Sequence, residues 1–433
     1  MKLKLFCITL LSVLSVASYA QTESDPDESE IRENPVIDGD ENDPDTEIPS
    51  FIHRQGNRID FNGADWTHLR NELAHSSKTN VGIVHIGDSH LQADYATRVV
   101  RDNLQLDYGN AGRGLVVPLK LAGTNQPLDF SFMSNQNWNG FKLLSKGWPR
   151  TMGFTGVSVT PSSARSSFTV RVSDKEDYNP FSDITVFHKG QFYVTSVSDA
   201  DGKLIPFIAV PSKDYTHISL TRNVISATIN FDSAGDLTLF GANLSGARPG
   251  VSYHVIGNNG ATYESYNRVG NVGQGIAALN PELVIISLGT NEAFGTVDRG
   301  RLTASIDRLV NNIKKSLPDA EILLVTPMEC QKAVYKKTKG KERRRSRSRS
   351  VRSFVPNDKI ALVRDIIMDY GKNNHIALYD WYDIAGGAKA SEKWIRSGLF
   401  SSDRIHHSVK GYNLQGMLLY QALKNAFNSN SAN

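Results

Sequence analysis

Four short segments of this sequence hold the residue types that acyl transfer requires. Ile86-Gly87-Asp88-Ser89-His90 closes an apolar run that begins at Val81, putting a hydroxyl at the tip of what reads as a buried strand breaking into a turn. Ile256-Gly257-Asn258-Asn259-Gly260-Ala261 supplies glycines whose backbone N–H groups can approach a ligand closely. Leu288-Gly289-Thr290-Asn291-Glu292 ends in an amide and a carboxyl side chain, and Asp403-Arg404-Ile405-His406-His407 carries a carboxylate and two imidazoles. A serine hydroxyl is a poor nucleophile until a base takes its proton. A carboxylate beside that base fixes the imidazole tautomer, and the developing oxyanion needs fixed donors, each worth about 3–4 kcal/mol. Either histidine fits the base, and either Gly257 or Gly260 fits a backbone donor.

These segments work together only if the elements before them bring their ends to one place. Ligands of open α/β sheets sit at the carboxyl ends of parallel strands. Apolar runs at 81–87, 251–256, 281–288, 321–326 and 375–379 predict such strands. Amphipathic stretches at 66–74, 91–106, 301–315, 358–370 and 410–427 predict the helices that cover them. Between 111 and 250 the pattern changes. Segments 167–172, 183–187, 191–196 and 224–231 alternate apolar and polar residues between Gly, Asp, Asn and Ser, which predicts antiparallel strands in a β-sandwich inserted into the α/β domain.

Charge and targeting signals lie outside this frame. Lys2 and Lys4 precede an apolar stretch and Ser18-Tyr19-Ala20, the pattern of a secretory signal over residues 1–20. The protein is therefore expected in the periplasm or outside the cell, with no transmembrane segment after processing. Residues 21–50 hold acidic side chains from Glu23 to Glu47 with hardly any large apolar residue, so they read as a disordered linker. The 48 Lys and Arg nearly balance the 45 Asp and Glu over the whole chain, but the opposite charges are segregated. Its basic counterpart, Lys336 to Arg352, reads as a flexible loop over 335–354, available to anionic glycans or membrane surface. An exported chain gives that run no nucleic-acid partner. Removal of Cys7 with the signal leaves Cys330 alone, a buried thiol, so no intrachain disulfide can form. His53, His68, His75 and His85 lack metal-ligand spacing, and neither metal nor cofactor is expected.

The four segments, in this order, resemble the signature blocks of the SGNH (GDSL-type) hydrolases. Gly-Asp-Ser-His in the first block, with a large β insert before the second, resembles the bacterial peptidoglycan O-acetylesterases. That resemblance implies a three-layer, flavodoxin-like α/β fold, with residues 51–110 and 251–433 as the two parts of the hydrolase domain and 111–250 as the insert. It implies Ser89 as nucleophile, His406 as base by the Asp-x-x-His offset, and Asp403 as the carboxylate that orients it. The Ser89 and Gly260 N–H groups and the Asn291 amide become the oxyanion donors. Glu292 departs from the family's usual Asp. The expected activity is O-deacetylation of a carbohydrate polymer, peptidoglycan first. Acetylxylan-type, other glycan or lipid esterases, and a catalytically silent glycan-binding protein are the alternatives.

Overall fold

The computed structural model describes residues 48–148, 150–173, 179–270, 272–338 and 349–429. The expected signal segment and all but residues 48–50 of the acidic linker lie outside them. The strand Asn80–Gly87 is buried at every position except its first, as a strand covered on both faces must be. Gly250–Gly257 pairs with it in parallel on one side and Pro281–Ser287 on the other. Glu321–Val325 and Ala377–Tyr379 continue the sheet, also in parallel. The second strand of this sheet therefore lies outside the first, the flavodoxin-like order, and the switch point falls beside the strand that leads into Ser89. Helices Thr67–Ala74, Tyr95–Tyr108 and Val409–Asn428 form one packed group, and Arg299–Ser316 with Lys359–Asn373 another.

Register brings Gly87, Gly257 and Ser287 side by side at the carboxyl edge of this sheet. Both glycines are needed there. The short helix Ser89–Gln92 folds back over the strand tips, so a Cβ on Gly87 would meet Leu91 at 2.5 Å and one on Gly257 would meet the Gln92 backbone at 2.4 Å.

The sequence pattern predicts one helix over 91–106, whereas the chain forms Ser89–Gln92 and Tyr95–Tyr108 with a break between them. The break is at Asp94, whose backbone is left-handed at φ +62. Its carboxylate turns inward to Arg101 Nη1 at 2.7 Å and Arg113 Nη2 at 2.8 Å. Asp129 closes the network, bonding Arg101 and Arg113 at 2.9 Å each. Helical propensity cannot report a constraint that depends on Arg113 and Asp129, which lie in another segment.

From Gly114 to Ser245 every named strand pairing is antiparallel. The strands form a seven-stranded and a four-stranded sheet. Phe168, Phe192 and Phe231 pack with Trp138 and His188 where the two sheets face each other. The predicted strand 224–231 is divided between Tyr215–Val224 and Ser226–Asp232, which belong to different sheets.

The basic run is corrected. Instead of a flexible loop over 335–354, Gln331–Thr338 and Arg349–Pro356 pair as an antiparallel ribbon from Gln331↔Pro356 to Thr338↔Arg349; residues 339–348 lie outside the described ones. Val334, Tyr335, Val351, Phe354 and Val355 supply β-forming side chains that the charges obscure. Among the described residues, no helix is long and apolar enough to cross a membrane.

Asp129→Ala should leave two buried guanidinium groups at the junction of helix and insert sharing the single Asp94 carboxylate. Losing one partner of a buried ion network costs about 3–5 kcal/mol. Chemical denaturation should show a loss of that size, and a loss below about 1 kcal/mol would contradict it.

Candidate active site

The polypeptide leaves the first strand at Gly87, and Asp88 caps the helix by accepting the His90 N–H at 2.9 Å. Ser89 is the first helical residue, so its own N–H has no acceptor within the helix. Ser89 Oγ lies 2.7 Å from His406 Nε2. On the far side of the ring, His406 Nδ1 lies 2.5 Å from Asp403 Oδ2. The other carboxylate oxygen accepts from Ser401 Oγ at 2.7 Å and from the Ile405 and His406 N–H groups at 2.9 Å each. The turn that allows this has Arg404 at φ +61. Three residues 317 positions apart or less in sequence thus form one hydrogen-bonded line.

Electrostatics separates the histidines. Burial alone would lower the His406 pKa, but its bond and attraction to Asp403 outweigh burial and lift it above 6.5. Burial likewise raises Asp403, yet the bond from His406 and its charge hold the carboxyl far below the usual range. His407 has no such partner. It is buried among Trp394, Phe400 and Tyr412, and burial lowers its pKa to about 3. His90 bonds Tyr412 Oη through Nδ1 at 3.1 Å, and burial followed by repulsion from His406 and His407 holds it well below the ordinary value.

The other blocks stand around this line. Gly260, at φ +74, lies in a turn closed by Ala261 N–H to Asn258 O at 3.0 Å. Gly257 instead ends its strand against Gly87. Asn291 comes to the same edge, but its amide donates to Asp88 Oδ2 at 3.2 Å and to Ala261 O at 3.0 Å. Burial raises the Glu292 pKa to about 7, and its Oε1 accepts the Tyr263 N–H at 2.8 Å. Asp88, also buried, is raised to about 6. Cys330 is buried and its thiol is pushed up to about 12, which makes it inert.

Sequence reasoning missed Ser401, Gln92, Asn258 and Tyr412. Only Gln92 left a signal, a polar residue one helical turn from Ser89 on a helix that covers apolar strand tips.

Strand-tip loops converge here on a hydroxyl–imidazole–carboxylate line, the arrangement that activates a serine hydroxyl. Residues 219–414 match the model of the GDSL-like Lipase/Acylhydrolase family, a span that begins after Ser89 and includes Asp403 and His406. A solved peptidoglycan O-acetylesterase shares the fold at a TM-score of 0.68 and 20% identity, over 86% of this chain and 99% of that one. A lipase/acylhydrolase from Enterococcus faecalis matches at 19% identity and a TM-score of 0.29, over 42% of this chain and 80% of that one. A family two carbohydrate esterase from Clostridium thermocellum matches at 13% identity and a TM-score of 0.30, over 67% and 98%. No curated protein matches the chain in sequence. The chain is an esterase with a GDSL-like acylhydrolase domain over residues 219–414, and its architecture resembles that of the peptidoglycan O-acetylesterase.

A base must be neutral to accept a proton, so raising its pKa moves the acid limb of activity upward. For a small ester, kcat/KM should rise with pH through a midpoint above 6.5. Asp403→Asn should move that midpoint down and reduce kcat about 10⁴-fold. A midpoint unchanged by the substitution would detach Asp403 from the base.

Proposed function

We propose that this esterase is exported and removes O-acetyl groups from a carbohydrate polymer, peptidoglycan foremost, through an acyl-enzyme. The observation that carries the reading is the line from Ser89 Oγ through His406 to Asp403. Ser89 Oγ attacks the acetyl carbonyl carbon while His406 Nε2 takes its proton. The tetrahedral oxyanion is met by the Ser89 and Gly260 N–H groups. Asn291 joins them by giving up its 3.2 Å bond to Asp88, the longer of its two. The carbon–oxygen bond to the sugar then breaks, and His406 returns the proton to the departing sugar oxygen. Water, deprotonated by the same imidazole, attacks the acetyl-serine, the carbon–Oγ bond breaks, His406 returns the proton to Ser89 Oγ, and acetate leaves. Asp403 keeps the imidazole in one tautomer throughout and stabilises its charged form.

The basic ribbon supports an acidic polymer as the substrate. Gln331 N–H donates to Arg404 O at 3.0 Å and Arg404 Nη1 to Gln331 Oε1 at 2.9 Å, while the Arg404 guanidinium lies 4.4 Å from the centre of the Phe354 ring. The ribbon therefore grows from the turn that holds Asp403 and His406. Lys336, Lys337, Arg349 and Arg352 lie along its strands. A cationic arm at that place raises the local concentration of a polyanion.

Acetate release from acetylated muramic-acid polymer, acetylated xylan and an aryl acetate tests the reading. Ser89→Ala and His406→Ala should each lower it by about 10⁴-fold or more, while His407→Phe should retain most of it. Preference for xylan would replace peptidoglycan as the substrate. Glycan binding with no acetate released from anything would leave the silent binding protein.

Replacing Lys336, Lys337 and Arg349 by Gln should raise KM for the acidic polymer and leave the aryl acetate unchanged. The difference should shrink as salt rises, because screening removes it. Equal effects on both substrates would discard the steering role.

A further inference from the structure

We infer that the inserted sheets are a working part of the catalytic apparatus: they hold the oxyanion loop 257–261 in place, with Gln92, Asn125 and Asn258 as positioning residues. The inference rests on the esterase reading above and extends it from the nucleophile to the scaffold of the donor that faces it.

Three consecutive residues of the loop each meet a different segment of the insert. Asn258 is buried, and its amide donates to Thr155 O and to Tyr266 Oη, both at 2.9 Å. Tyr266 Oη in turn donates to Gly87 O at 2.7 Å, which ties this anchor to the strand that carries the nucleophile. The fit at this point is close: a Cβ on Gly156 would lie 2.4 Å from Asn258 Nδ2.

Asn259 is held by a different set of partners. Its N–H donates to Gln92 Oε1 at 2.7 Å. Gln92 Nε2 donates onward to Thr124 Oγ1 at 2.9 Å and to Asn125 Oδ1 at 2.6 Å, and Asn259 Nδ2 reaches the same Asn125 oxygen at 3.0 Å. Gln92 shares its helix with Ser89. One buried amide thus joins the nucleophile's helix, the oxyanion loop and the insert. Gly260 comes third, with Leu144 Cδ1 only 2.7 Å from where its Cβ would stand.

The need for such support is physical. Gly260 has no side chain and a left-handed backbone, so nothing intrinsic fixes the direction of its N–H. An oxyanion donor works only within about 2.7–3.1 Å of the developing charge, and a misplacement of about 1 Å costs about 10²-fold in rate. A module tethered only to capture glycan would have no reason to bond this loop at two successive residues, Asn258 and Asn259.

The test uses the full chain and p-nitrophenyl acetate, an ester too small to need a polysaccharide subsite. Asn125→Ala, on the exposed side of the cluster, should lower kcat about 10-fold, and Gln92→Ala and Asn258→Ala about 30- to 100-fold, with KM within about twofold. Tyr193→Ala, exposed on another insert strand, should leave both constants unchanged. The acid limb of the pH profile should stay in place in all of them, because the base is untouched. Should Asn258→Ala fail to fold, Asn125→Ala and Gln92→Ala still decide. Either of those two, folded and with kcat within about twofold of wild type, would overturn the inference while leaving the esterase reading standing. A wild type that hydrolyses no ester would overturn both.

Discussion

Four donors converge on the Asp403 carboxylate, and only one of them is the imidazole it serves. The Ser401 hydroxyl and the Ile405 and His406 N–H groups saturate Oδ1, so Oδ2 has a single direction left in which to point. That direction is His406 Nδ1, and the ring behind it then aims Nε2 at Ser89. A carboxylate free to rotate would leave the imidazole free as well. Positive φ at Arg404 is the backbone cost of this arrangement, of the order of 1 kcal/mol. Gln331 and the Phe354 ring secure the residue that bears it.

The same constraint explains which parts of the molecule the sequence discloses. Gly87-Asp88-Ser89 is a local event: an apolar run ends, an acid caps a helix, and a glycine is forced because the helix lies on the strand tip. All three can be read from neighbouring residues. The parallel strands are legible for a similar reason, since a strand buried on both faces must be apolar throughout. The break at Asp94 is not legible, because its cause is a pair of guanidinium groups, one from a different segment. Nor is the ribbon, where charge density conceals the alternation of Val, Tyr and Phe. The grip of Gln92 and Asn258 on the oxyanion loop joins residues up to 167 positions apart. Amides carry no periodic signal, so nothing along the chain marks them.

The sheet edge shows how local and distant forces combine. Register puts Gly87 beside both Gly257 and Ser287, and this decides where three loops begin. Where they end is decided by polar contacts. Asn291 reaches Asp88 and Ala261, Glu292 reaches Tyr263, and Asn258 reaches Thr155. Glu292, one methylene longer than the residue usual at its position, spans to the backbone that follows the oxyanion loop. Buried carboxyls at Asp88 and Glu292, raised to about 6 and about 7, stay partly neutral near neutrality. Two full charges so close to a developing oxyanion would oppose it.

Three imidazoles cluster beside the serine, with the His90 ring centre 5.1 Å from that of His406 and 5.4 Å from that of His407. Three cations could not share that volume. Burial drives His90 and His407 toward the neutral form, and the Asp403 carboxylate holds His406 alone in readiness for charge. The neutral pair, together with Tyr412 and Trp394, forms an uncharged wall around the one ring that cycles its proton. Competing bases are thereby removed by dielectric surroundings instead of by distance. The offset of three residues between Asp403 and His406 matters for that reason: it gives the Asp403 carboxylate to one imidazole of the adjacent pair and leaves the other without it.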